Sequence, residues 1–223
     1  MAEAADLTSE SGRQALIFGQ AMLDNPLATV KEGTAAEVAL EQALDERNPF
    51  TDVPEGSFYY DPVMWAVKNA ITTGATDTTF NPDGKCQRAA VVTFLWRAAG
   101  SPEPTTKDNP FTDVNEGDFF YKAVLWANEN GITNGLSATA FGPYIECNRA
   151  QVVTFLYRAQ GNPTYETAEN PFSDVDITAF YGPAVLWAVE TSVTNGMGYC
   201  IFGGDEICNR AQVVTFLYRT MVK

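Results

Sequence analysis

The 223-residue sequence predicts a mainly α fold: three tandem helical repeats with short hairpin loops, preceded by an unlike helical leader. Three observations predict it. The segment Cys147-Asn148-Arg149-Ala150-Gln151-Val152-Val153-Thr154-Phe155-Leu156-Tyr157-Arg158 recurs unchanged over residues 208–219, and more loosely over 86–97. The arginine after each cysteine falls at Arg88, Arg149 and Arg210, a step of 61 residues taken twice. Phe50, Phe111 and Phe172, Asp52, Asp113 and Asp174, and Trp65, Trp126 and Trp187 keep the same step. The period divides the chain into a leader (residues 1–47) and units 48–108, 109–169 and 170–223.

The leader reads as two helices. Residues 11–23 carry Leu16, Ile17, Met22 and Leu23 and end at Asp24-Asn25-Pro26. Residues 34–46 carry Val38, Leu40 and Leu44, with Thr34 and Glu37 as a capping pair. Each repeat then opens with Asn-Pro-Phe and Asp-Val, a turn because proline disfavours helix at the residue before it. An aromatic cluster follows (Phe58-Tyr59-Tyr60, Phe119-Phe120-Tyr121, Phe180-Tyr181) and leads into a first helix over 62–69, 122–130 or 183–191. Pro62 and Pro183 sit in the first turn, where proline is tolerated. Gly131 supplies a helix stop that Ala70 and Ser192 supply less well.

Next come the links Ile71-Thr72-Thr73-Gly74, Ile132-Thr133-Asn134-Gly135 and Val193-Thr194-Asn195-Gly196, each ending in a turn with positive backbone dihedrals. Asn81-Pro82-Asp83-Gly84 is a further turn, without the ligand ladder of a calcium loop. The second helix of units two and three starts with a capping box, Asn148 with Gln151 and Asn209 with Gln212. Cys147 with Val152 and Cys208 with Val213 fit a hydrophobic staple. Unit one has Gln87 and Ala90 at the box positions, so its helix start is the least well fixed.

Composition excludes several classes. Fourteen basic residues against 28 acidic ones give a net charge of −14, which argues against nucleic acid or an anionic membrane as partner. No run of about 18 apolar residues exists to span a membrane. Residues 1–10 lack the pattern of a signal peptide, so export requires a signal already removed or another route. The absence of histidine removes Ser-His and Cys-His nucleophile pairs and imidazole metal ligands. No motif singles out a carboxylate pair, and the repeats are read as non-catalytic, with no cofactor or metal.

These motifs resemble the S-layer homology (SLH) family: an F-x-D-V opening (Phe111-Thr112-Asp113-Val114), a W-A helix (Trp126-Ala127), a G-I-x-x-G link (131–135), an F-x-P turn (Phe141-Gly142-Pro143) and a helix start matching I-T-R-A-E (Cys147-Asn148-Arg149-Ala150-Gln151). All three units match, over residues 48–223. The resemblance implies a pseudo-threefold closed arrangement and an extracellular role in a bacterial cell wall or S-layer. Its grooves between repeats would bind anionic, pyruvylated secondary cell-wall polysaccharide. The arginine of the last motif, here Arg88, Arg149 and Arg210, would hold the anion, helped by backbone donors of the helix N-terminus. Arg149 and Arg210 are the stronger candidates, because unit one departs furthest from the pattern. Trp65, Trp126 and Trp187, Asp52, Asp113 and Asp174, and Gly74, Gly135 and Gly196 complete the candidate glycan-binding set. Against this stand simpler readings: arginines paired with the Asp of the opening turn, tryptophans in the core, glycines serving turns. Replacement of the motif's glutamate by Ala90, Gln151 and Gln212 makes the site less acidic.

The second arginines, Arg97, Arg158 and Arg219, are expected to meet helix C-terminal carbonyls. Cys86, Cys147 and Cys208 read as buried small hydrophobes, and Cys200 lies close enough in sequence to Cys208 for a disulfide. The alternative function is a surface protein-interaction or adhesion scaffold that keeps the fold without the glycan site, with other surface proteins as partners.

Overall fold

A computed structural model describes residues 48–166 and 169–222, together with Ile17 and Gln20. The helices expected in the leader lie outside the described residues. The chain divides into two compact units, Met1–Thr51 and Asp52–Lys223. The repeats occupy the second from Asp52 onward.

Six helices are described there: α1 Tyr60–Lys68, α2 Arg88–Ala98, α3 Tyr121–Glu129, α4 Arg149–Ala159, α5 Gly182–Glu190 and α6 Arg210–Met221. No strand longer than an isolated bridge occurs among the described residues. The odd-numbered helices begin one or two residues before the proline-based expectation and end in a single left-handed residue. Gly131 takes φ +67°, and Ala70 and Ser192 adopt the same conformation at +55° and +60°. The even-numbered helices start as their caps dictate. Asn148 and Asn209 accept from the Gln151 and Gln212 N–H groups at 2.9 and 2.8 Å, and both boxes are complete. Gln87 makes no side-chain cap.

The helices α2, α4 and α6 touch one another, and each also packs on the first helix of another unit: α2 on α3, α4 on α5, α6 on α1. The faces they bury are aliphatic and aromatic, for example Val91, Val92, Phe94 and Leu95 of α2. Main-chain bonds follow the same order. Cys147 N donates to Cys86 O, Cys208 N to Cys147 O and Cys86 N to Cys208 O, at 2.8, 3.0 and 2.9 Å. The three cysteines are buried, and burial pushes the Cys86 and Cys208 thiols up to about 12 and Cys147 higher still. They are small packed groups, protonated at neutral pH. Cys200 is exposed, and all four cysteines are free, so the Cys200–Cys208 disulfide is not formed.

Candidate functional site at the junctions between repeats

The organising residue of each junction is the phenylalanine of the F-x-P turn or its counterpart one period away. Phe80, Phe141 and Phe202 are fully buried. The Asp of the opening motif clamps the main chain there. Asp113 takes Phe141 N on one oxygen and Gly142 N on the other, at 2.8 and 2.7 Å. Asp52 holds Phe80 N and Asn81 N, and Asp174 holds Phe202 N and Gly203 N, in the same way. One backbone donor on each oxygen pins the turn to the carboxylate. These aspartates therefore build the turn, and none forms an ion pair with Arg88, Arg149 or Arg210 among the described residues.

The other side of each phenylalanine belongs to an arginine from a different unit. Arg88 Nε donates to Phe141 O at 3.0 Å, Arg149 Nε to Phe202 O at 2.9 Å and Arg210 Nε to Phe80 O at 2.9 Å. Each guanidinium lies between two rings. Arg88 Cζ is 5.0 Å from the Phe141 ring centroid and 5.2 Å from that of Phe155. Arg149 is similarly placed between Phe202 and Phe216, and Arg210 between Phe80 and Phe94. A desolvated cation–π contact is worth about 2 kcal/mol, so the arginines are joints of the fold as well as candidate ligand contacts. Burial lowers the pKa of each from the ordinary guanidinium value. Groups that start so high stay charged at neutral pH.

The joints differ in one bond. Arg88 Nη2 reaches Thr133 Oγ1 at 3.5 Å and Arg149 Nη2 reaches Thr194 Oγ1 at 3.2 Å. Arg210 Nη2 is buried with no partner. Thr72, Thr133 and Thr194 also accept from the N–H of Gly74, Gly135 and Gly196. A threonine in an I-T-x-G link can be found as a buried polar position repeating every 61 residues; its reach to an arginine in another unit has no local signal.

Backbone donors at the helix N-termini are not free for an anion, contrary to the expectation. The neighbouring turn takes them: Arg149 N donates to Glu206 O and Ala150 N to Gly204 O, at 2.9 and 3.0 Å, with matching pairs at Arg88–Ala89 and Arg210–Ala211. The capping asparagines take the Gln151 and Gln212 N–H groups. The second arginines also differ from expectation. Arg97, Arg158 and Arg219 donate to Ile71 O, Ile132 O and Val193 O of their own unit's link, rather than to the last carbonyls of their helices.

The remaining candidates separate. Trp187 is 4% exposed and packs against Tyr157, with ring centroids 5.6 Å apart. Trp65 is half-buried against Tyr218, and Trp126 is half-buried. Gly135 and Gly196 are required by their own turns. Their φ values are +76° and +79°, and an added Cβ would meet Phe111 or Phe172 and a loop carbonyl. Gly74 shares the conformation at φ +96°.

One junction holds a cavity of about 210 Å³, where Arg88 of the first unit meets the link of the second. Thr133, Asn134, Gln151 and Arg158 line it, with Phe180 also in its wall. Its lining contains two arginines and no carboxylate. Arg88 Nη1 has no hydrogen-bond partner among the described residues, and the buried groups lacking partners do not include it, so it faces accessible space. Phe58, Phe119 and Phe180, one per unit, are 61%, 68% and 65% exposed.

Such repeats, each completed by groups from another unit, define a tandem-repeat helical module. The chain belongs to the S-layer homology domain family, whose model matches three times, over residues 49–92, 110–153 and 171–214. It is similar to an endoglucanase of Bacillus sp. (strain KSM-635), 32% identical over 125 residues, which are 56% of this chain and 12% of that protein. It also resembles a cell surface protein of Thermoanaerobacter kivui, 29% identical over 117 residues, 51% of this chain and 15% of that protein. An amylopullulanase of Thermoanaerobacterium thermosulfurigenes is 24% identical over 186 residues, 81% of this chain and 10% of that protein. The chain therefore spans only a small part of the length of these relatives.

Proposed function

We propose that this chain is a non-catalytic anchoring module of the bacterial cell surface that binds anionic, pyruvylated secondary cell-wall polysaccharide in grooves between its repeats. The observation that carries this reading is charge. In a protein of net charge −14, the cavity beside Arg88 is lined by two arginines and no acid. A planar guanidinium with an unused edge suits a carboxylate, to which it can donate two parallel hydrogen bonds. The relatives support a portable module: the shared stretch is a small part of proteins named for different activities. No described helix is long and apolar enough to cross a membrane, consistent with attachment through a polymer.

The test is retention on protein-free Gram-positive cell walls, before and after hydrofluoric acid extraction of the secondary polymer. The parent should be retained before extraction and lost after it. Arg88→Lys, which keeps the charge without the planar fork, should lower affinity about tenfold with the melting temperature monitored alongside. Absence of retention on walls from several bacterial groups would sink the proposal. It would favour the second reading, a protein-interaction or adhesion scaffold, for which the three exposed phenylalanines are the specific support.

A further inference from the structure

We infer that Asn134-Gly135 and Asn195-Gly196 are sites of deamidation, and that isoaspartate formed there loosens the joints these links make with Arg88 and Arg149. The sequence holds a third pair of this kind, Asn130-Gly131, and the structure separates it from the other two. Deamidation requires the asparagine side chain to meet the main-chain nitrogen of the next residue, and glycine has no Cβ to block that approach. All three asparagines are exposed. Asn130 is held back at both ends: its Nδ2 donates to Trp126 O at 2.8 Å, and Gly131 N donates to Asn128 O at 3.0 Å. The side chains of Asn134 and Asn195 make no hydrogen bond among the described residues. Only a hydroxyl holds the nitrogen that follows each of them. Gly135 N donates to Thr133 Oγ1 at 3.2 Å and Gly196 N to Thr194 Oγ1 at 3.1 Å. One neutral bond at a surface turn is released by a small local opening.

In the reaction, Gly135 N gives its proton to solvent base and bonds to Asn134 Cγ. The Cγ–Nδ2 bond breaks and Nδ2 leaves as ammonia. Water then opens the cyclic imide. Breaking the bond from Gly135 N to Cγ gives aspartate. Breaking the bond from Gly135 N to the main-chain carbonyl carbon of residue 134 gives isoaspartate, with the backbone rerouted through Cβ and Cγ. Either route consumes a water and releases an ammonia, with no change of oxidation state. The rerouted link is longer by a methylene, and the turn has no slack to take it up. Gly135 and Gly196 sit at φ +76° and +79°, enclosed by Phe111 and Ala140 O or by Phe172 and Ile201 O. The same turns position Thr133 Oγ1 and Thr194 Oγ1 under Arg88 Nη2 and Arg149 Nη2, at 3.5 and 3.2 Å. A longer link displaces each threonine from its arginine. The third joint is exempt: its link carries Thr73-Gly74, and Arg210 Nη2 has no such bond to lose. None of this depends on what the grooves bind.

The experiment ages the parent in mildly alkaline buffer, native and in guanidinium chloride. Tandem mass spectrometry assigns the modified residues, and methyl transfer by an isoaspartyl methyltransferase reports the linkage. In the native protein, residues 134 and 195 should react at least about tenfold faster than residue 130, the scale of the extra hydrogen bond at Asn130. In denaturant the three rates should converge. The isoaspartate fraction should unfold at a lower denaturant midpoint than unaged parent. Freshly made Asn134→Asp/Asn195→Asp, which has the charge without the added methylene, should stay closer to the parent. Native reaction at residue 130 as fast as at 134 and 195 overturns the assignment, as does no native reaction while the denatured sample goes to completion. An isoaspartate fraction with the parent's midpoint, or an aspartate variant equally weakened, overturns the loosening of the joints.

Discussion

At the scale of single residues, the three units are internal controls for one another. The position after each odd-numbered helix needs a left-handed residue, and the units place Ala70, Gly131 and Ser192 there. A side chain in that conformation costs about 1 kcal/mol relative to glycine. At Gly131 an added Cβ would meet nothing within 4 Å, so the difference is one of backbone alone. Ala70→Gly and Ser192→Gly should each stabilise the protein by about 1 kcal/mol, read from urea midpoints at constant slope. Gly131→Ala should shift the midpoint the other way. The same comparison shows how far residue chemistry is legible in sequence. Asn148 and Gln151 announce a capping box because the partners lie three residues apart. Asp113 gives no hint that its oxygens hold residues 28 and 29 positions onward.

At the scale of elements, one carboxylate gathers several of the bonds that hold the connection between units one and two, beside the Lys122–Glu103 ion pair and the bond from Trp96 Nε1 to Pro102 O. Glu129 at the end of α3 accepts from Thr105 N, Thr105 Oγ1 and Thr106 N at 2.8 to 3.1 Å. Glu190 holds Glu166 N at 2.8 Å in the following connection. The hydrogen bonds, led by that from Thr106, lower the Glu129 pKa from its ordinary value. A depressed carboxylate stabilises the folded form above its unfolded pKa, near about 4.3, and the contribution is lost as pH falls through the lower folded value. Amide exchange at Thr105 and Thr106, corrected for intrinsic pH dependence, should therefore lose protection below about pH 4. Glu129→Gln should show weak protection at both pH values; protection equal to the parent's at neutral pH would contradict this. The helices themselves were readable from period and caps to within two residues. The links were not, because Arg97, Arg158 and Arg219 find carbonyls 26 residues earlier, a reach fixed by packing.

At the scale of the whole repeat body, no unit is complete alone. Removal of residues 170–223 would strip Arg149 of Phe202 O, the first turn of α4 of Glu206 O and Gly204 O, and Cys147 O of Cys208 N. The truncated chain should lack a cooperative transition near the parent's midpoint in urea, and near-native melting would refute the dependence. The period made the units legible, but not the hand-over between them. Arg210 bonds a residue 130 positions away. That last joint also differs in connectivity. Units one and two, and two and three, are adjacent in the chain, whereas α6 meets α1 through non-covalent contacts alone. The same joint leaves Arg210 Nη2 unpartnered where its two counterparts each find a threonine. That seam is the one place among the described residues where two neighbouring units meet with no stretch of chain running directly from one to the other.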